Sequence, residues 1–363
     1  MVLGVDNARM LQPRILSALA RAPRPARWAA RWALALALPL LLALPPWQAG
    51  VAAEAAAAPA PALDPAAARP SCPPPPAMPT PEQMAAAQRD ARDHGLLWRI
   101  RRGGHDSYLY GTLHVGKLDW SMPGPKLAAA VRATDTLALE LDITDASLMQ
   151  ALMISSDERP APPLPEALAQ RLARQRAAAC VPDGGLDRLH PLLQSMSLAV
   201  LAARWEGLDP AYAQELVLAG AAHTLRRPIV SLETVQTQRD ALIPREPEAV
   251  LKALEDALTQ LENLRARATI RRLSLAWAQS DLADLERYPQ WCDCTNTESD
   301  RAMMRRLLDD RNTGLAERID AMHGQGQRVL AAVGALHMVG PKGLPALLQQ
   351  RGYQVQRLLP AQN

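Results

Sequence analysis

Residues 107–114 read SYLYGTLH and residues 328–337 read RVLAAVGALH. Each is a short apolar run that ends in Gly-x-Leu-His, with Gly111 and His114 in the first and Gly334 and His337 in the second. Runs of this length bounded by glycine read as buried strands. The segments after the two histidines are also alike: a glycine-containing loop, a Pro-Lys helix start at Pro125-Lys126 or Pro341-Lys342, and a further strand-like run. Two such units, one towards each end of the chain, make an internal pseudo-repeat that can share one sheet.

Outward from these units the same reading continues. LWRIRR at 97–102 joins the first unit through Gly103-Gly104-His105-Asp106, which predicts a β-hairpin. A helix over 126–133, the strand TLALEL at 136–141 and a closing strand YQVQRLL at 353–359 complete the ends, with a helix from Pro341 to Gln350 between. The middle is mainly helical, with helices over 164–179, 192–205 and 211–222 and a short buried strand PIVSL at 228–232. Leu251, Leu254, Leu258, Leu261 and Leu264 keep helical spacing and predict one helix from Glu246 to about Ala278; another runs from Arg301 to His323. The fold class is therefore α/β. A small central mixed sheet is built by the two Gly-x-Leu-His units, and a large helical insertion covers about 150–325.

The N-terminus reads differently. Six arginines stand against Asp6 in residues 1–53, followed by the apolar run WALALALPLLLAL at 32–44 and small residues at Val51-Ala52-Ala53. That pattern matches a secretory signal peptide, with Met10 a second possible start. Pro45 and Pro46 stop the run short of the ~20 residues of a membrane span, so an uncleaved N-terminal anchor is the alternative. Residues 54–84 are rich in Ala and Pro and read as a disordered linker, which places the folded domain at 85–363. The expected location is periplasmic or secreted, with membrane contact only through the N-terminal segment if it is kept.

Composition narrows the function. The chain has 363 residues, a formal charge of +3 and 4% aromatic residues with no Phe. Its basic residues are almost all arginine, a bias expected of GC-rich coding, and the positive charge is concentrated in the part expected to be removed. Nothing here describes a nucleic-acid surface. Of the four cysteines, Cys292 and Cys294 are only two apart, so the expected disulfide runs from Cys180 to Cys292 or Cys294.

His114 and His337 are the focal residues, because each ends a strand where side chains converge on a crevice. In LALELD, alternation places Glu140 and Asp142 on one face. Two imidazoles and a carboxylate suit a divalent transition metal such as Mn, Co or Zn, which supports hydrolysis. The plainer alternative has both histidines hydrogen-bonded in the sheet and Glu140 paired with an arginine. His94, His105, His190, His223 and His323 are assigned surface or capping roles. Ser107 and Ser231 lack a nucleophile-elbow context.

SYLYGTLHVG, TLALELD, GLDPAYAQELVLAGAAHTLRRPIVSLETVQTQ, LLDDRNTGLAERI and VLAAVGALHMVGPKGLPALLQQRGYQV occur in this order between Leu97 and Leu359. In these segments the chain resembles the TraB/GumN family, which is similar to the Tiki metalloproteases and belongs with the erythromycin-esterase-like and ChaN-like group. The resemblance implies a metal and catalytic site made of Gly111 with His114, Gly334 with His337, and Glu140. It also draws attention to Glu233, Gln238, Arg311 and Asn312, Arg311 having the planar fork that grips a carboxylate or an oxyanion. The activity it implies is that of an exported metal-dependent hydrolase of peptide or amide bonds, in which Asp142 or Glu233 accepts a proton. A non-catalytic protein that binds a peptide or small molecule is the rival expectation.

Overall fold

The computed structural model describes residues 72–74, 78–153 and 160–360. The expected export signal and most of the linker lie outside them. A helix already starts inside the expected linker, at Pro81–Arg89, closed at its N-terminus by a capping box between Thr80 and Gln83. Its Met84 and Ala87 pack with Met122.

Six strands form one mixed sheet: β1 (Leu96–Arg102), β2 (His105–Thr112), β3 (Thr136–Leu139), β4 (Ile229–Ser231), β5 (Val329–Gly334) and β6 (Gln354–Leu359). Their order is β4-β3-β5-β2-β1-β6. The β1–β2 hairpin is antiparallel and turns at Gly103-Gly104, both at positive φ. β6 is antiparallel to β1, whereas β2, β5, β3 and β4 run parallel to one another. Consequently the two Gly-x-Leu-His turns leave the same end of the sheet from adjacent strands, with Gly111 opposite Val333 and Thr112 opposite Gly334.

Alternation along the strands sends side chains to two faces. Leu97, Tyr110, Leu137, Leu139, Leu330 and Ala332 meet helices Pro125–Ala133 and Gln214–Thr224 through Leu127, Val131, Val217, Leu218 and Ala221. Leu96, Leu109, Ala138, Val329, Ala331 and Val333 meet Leu315, Ala316 and Ile319 of helix Asp310–Gly324 and Leu344 and Leu348 of helix Leu344–Gln350. The result is a sheet covered on both faces, as parallel strands require. The helical insertion has a core of its own, in which Leu172, Leu192, Leu193 and Leu198 pack on Leu254, Leu258 and Leu261.

Two expectations change. The long helix from Glu246 is two helices, Pro247–Glu262 and Arg265–Ala278, because Leu264 adopts φ +62°. Leu264 therefore leaves the apolar stripe and is 55% exposed. The cysteines also pair differently. Cys72 bonds Cys180, and Cys292 bonds Cys294, with Cα separations of 5.6 and 5.1 Å. Asp293 takes φ +60°, which folds the Cys-Asp-Cys turn tightly enough to bring its own two cysteines within bonding range, while Cys180 is met by the segment preceding the first helix.

Candidate functional site

His337 lies in the single 3₁₀ turn Ala335–Met338 that follows β5, and its side chain is buried. Its Nδ1 is 2.6 Å from Asn312 Oδ1, and Asn312 Nδ2 donates to the Lys342 carbonyl at 2.9 Å. The second bond orients the amide, so Oδ1 must be the atom that accepts from His337 Nδ1–H. The Nε2 lone pair therefore faces into the site, where Arg311 Nη1 approaches to 3.3 Å. Burial pushes this imidazole down to about 4 against the pull of Glu140, so it is neutral at pH 7.

Glu140 follows the end of β3. Gly334 donates its N–H to Oε1 at 2.8 Å, while Gln238 donates to Oε2 at 3.2 Å and Arg311 Nη2 pairs with the same oxygen. Arg311 also grips Glu233 through Nε at 3.0 Å and Nη2 at 2.5 Å, and Gln238 donates to Glu233 at 2.8 Å. The two carboxylates thus share one guanidinium, with the Glu233 side chain 4% and that of Arg311 9% exposed. Burial opposes the charge on Glu140, but the neighbouring His337, Arg311 and His114 and the Gly334 N–H outweigh it and hold the carboxyl well below its usual range. At pH 7, where His337 is neutral, Arg311 is the cation in direct contact with Glu140. Burial also works against Arg311, and Glu233 and Glu140 more than restore its charge, raising its pKa.

A π-helical segment, Arg305–Asp309, ends two residues before Arg311, and Arg311 Nη1 donates back to the Leu307 carbonyl at 3.0 Å. Such insertions shift the register of a helix and are common at functional sites. Here Arg311 and Asn312, in the turn that follows the segment, reach the two carboxylates and His337.

His114 leaves β2 at the mouth of the site, and its side chain is 72% exposed. Its Nδ1 lies 3.1 Å from Glu215 Oε1, an oxygen that also accepts from Thr112 Oγ1 at 2.6 Å. Glu215 pulls the imidazole up to about 9, although solvent at so exposed a ring screens that pull. Nε2 has no protein partner among the described residues. Both histidines thus have Nδ1 occupied by an oxygen acceptor, the arrangement that usually orients a metal-binding imidazole.

Asp142 is not brought into this cluster. β3 ends at Leu139, so the alternation expected to carry Asp142 onto Glu140's face does not extend that far. Its carboxylate instead accepts from the Thr144 N–H at 2.9 Å and hydroxyl at 2.6 Å. Gly111 serves packing, since a Cβ there would come within 3.0 Å of the Ala335 backbone; Gly334 serves the site through its N–H. Among the other histidines, His190 caps helix Pro191–Ala202 as expected, whereas His323 is buried rather than at the surface and accepts from, or donates to, Ser107 Oγ at 2.9 Å. Glu215 does not stand out in the sequence. Its signal is an acid within a helix whose residues are otherwise nearly all buried and apolar.

Residues 96–357 match the sequence profile of the TraB/PrgY/gumN family. The chain belongs to that family. It is 27% identical over 279 residues to the uncharacterized protein YbaP of Shigella flexneri, covering 70% of this chain and 97% of that protein. The YbaP of Escherichia coli is 26% identical over the same length. The metalloprotease TIKI2 of Danio rerio is 25% identical over 321 residues, 74% of this chain but 61% of that protein. No solved structure matches. Of the plainer expectation, the part that gave Glu140 an arginine partner is what the side chains show, with His337 against the same arginine.

The donor chemistry of this site fits a divalent transition metal: two imidazoles oriented through Nδ1, the Glu140 carboxylate, and a buried Glu215 Oε2 that has no hydrogen-bond partner among the described residues. As the side chains stand, no three His, Cys, Asp or Glu among the described residues converge on one ion position. Arg311 supplies the cation to Glu140 instead. The disulfides are consistent with an extracellular or periplasmic location, and among the described residues no helix is long and apolar enough to cross a membrane.

Proposed function

We propose that the protein is an exported, metal-dependent hydrolase of peptide or amide bonds. The observation that carries this reading is the pairing of two oriented histidines from adjacent parallel strands with Glu140 at one end of the sheet. His114, His337 and Glu140 would hold the ion. When bound, it supplies Lewis-acid polarisation of a carbonyl and a nucleophilic water at neutral pH. Asn312 and Glu215 keep the two imidazoles aimed. Gly334 and Gln238 position Glu140 so that it engages either Arg311 or a new cation. Arg311, once released from Glu140 and still held by Glu233, presents Nη2 to a developing oxyanion. With Asp142 turned away, Glu233 is the carboxylate that accepts a proton. Membership of a family related to Tiki metalloproteases supports the hydrolase class.

One observation favours a second reading. Arg311 already neutralises both carboxylates, which suits a protein that binds a peptide or small molecule without cleaving it. A peptide library incubated with the purified protein, loaded with Mn, Co or Zn and then chelated, separates the two. Cleavage that stops on chelation and returns with metal is expected of the hydrolase. Retention of peptide without cleavage at any metal selects the binding protein.

A further inference from the structure

The loop that leaves His114 forms one wall of a cavity of about 210 Å³, lined by Lys117, Trp120, Glu206, Leu208, Arg271 and Leu275. Its body is apolar. Trp120 and Leu208 are buried, and Leu275, 44% exposed, is one of three large hydrophobic side chains left open among the described residues. Its rim is basic. The Lys117 ammonium stands 5.3 Å over the Trp120 ring, with no carboxylate oxygen within 4 Å among the described residues. Glu206, the acid in the lining, is held by Arg267 at 2.9 Å and lies 3.9 Å from Arg271, whose side chain is 67% exposed. Arg267, from outside the lining, takes one oxygen of Glu206 and Arg271 faces the other, so three cations, Lys117, Arg267 and Arg271, stand against one carboxylate and the rim is net positive.

The wall is fixed. Gly116 and Asp209 exchange both backbone hydrogen bonds, at 3.0 and 2.8 Å, and a Cβ on Gly116 would come within 2.3 Å of the Tyr212 carbonyl. Lys117 is three residues from His114, so their Cα atoms are at most about 11 Å apart. The volume suits one side chain or a small ligand rather than a large cofactor.

We infer that this cavity binds an apolar group that carries a carboxylate, with the apolar part against Trp120, Leu208 and Leu275 and the carboxylate between Lys117 and Arg271. In combination with the hydrolase reading, it is the subsite that selects substrates with such a group beside His114. The binding itself does not depend on that reading.

Calorimetric titration of the whole protein with N-acetyl-leucine and with N-acetyl-leucinamide, which lacks the charge, tests it. The acid is expected to bind at least tenfold more tightly than the amide. That preference is expected to fall to near unity in Lys117→Gln and in Arg271→Gln, at a half-buried and an exposed position, and to persist in His337→Ala. Equal binding of acid and amide, no binding of the acid, or an undiminished preference in both glutamine variants overturns the inference. Loss of the preference in His337→Ala would place the ligand at the histidines instead and overturn it as well. Failure of the peptide-cleavage test leaves this titration unchanged, so the two ideas fail separately.

Discussion

Asn312 determines which nitrogen of His337 faces the site, because its own amide is locked by the Lys342 carbonyl. Asn312→Ala is therefore expected to weaken metal binding about 10- to 100-fold while the fold is retained, and Asn312→Asp, which keeps the acceptor, to recover part of it. Competition against a colorimetric chelator reads both. Arg311 has a different role: it is the charge that permits Glu233 and Glu140 to be buried together. Removing one partner of a buried ion pair strands the other, so Arg311→Ala is expected to lower stability by about 3–5 kcal/mol in urea denaturation. A loss below 1 kcal/mol would mean that the carboxylates find other partners. At this scale most of the site is legible in the sequence, since His114, His337, Glu140, Glu233, Gln238, Arg311 and Asn312 all stand in recognisable segments. Glu215 is not, because its importance comes from the helix that lays it under His114, and no pattern within its own segment shows that contact. Asp142 departs from expectation for a related reason: alternation predicts a shared face only as long as the strand continues.

Elements made of one periodic pattern are legible in the sequence, and elements defined by a break in it are not. The hairpin, the strands β3 to β6 and the mainly helical middle follow from apolar spacing and glycine punctuation. The left-handed residue Leu264 and the π-helical segment before Arg311 interrupt sequences whose spacing still looks helical, so only packing reveals them. The disulfides show the same limit, because spacing excludes few pairings and the fold chooses among them. Peptide mapping without reduction is expected to recover Cys72 with Cys180 and Cys292 with Cys294. Cys180→Ser opens the link that closes 108 residues of chain, and is expected to lower stability by about 2–4 kcal/mol in guanidinium. Recovery of a Cys180–Cys292 or Cys180–Cys294 peptide would restore the pairing expected from spacing.

For the molecule as a whole, two sets of buried polar groups lie on the same sheet. One is the histidine and carboxylate cluster beyond the ends of β3 and β5. The other is His323, stacked on His105 at 3.8 Å between ring centroids, with Nε2 2.8 Å from the Arg102 carbonyl. Burial lowers the pKa of His323, with the Arg102 carbonyl opposing and the charge of His105 adding to the shift. A histidine whose folded pKa is depressed stabilises the fold above its unfolded value of about 6.5, and that stability is lost as pH falls below it. The midpoint of thermal unfolding is therefore expected to drop between pH 7 and pH 5, and to drop less in His323→Gln. An equal drop in both would assign the acid sensitivity elsewhere. The central claim rests on the other cluster, and metal content tests it most directly. Elemental analysis of the purified full chain, loaded with Mn, Co or Zn and freed of excess, is expected to find about one ion per chain. His114→Ala and His337→Ala, shown to be folded by circular dichroism, are each expected to retain far less than one. Equal metal in the parent and both variants, or none in the parent, would contradict the account.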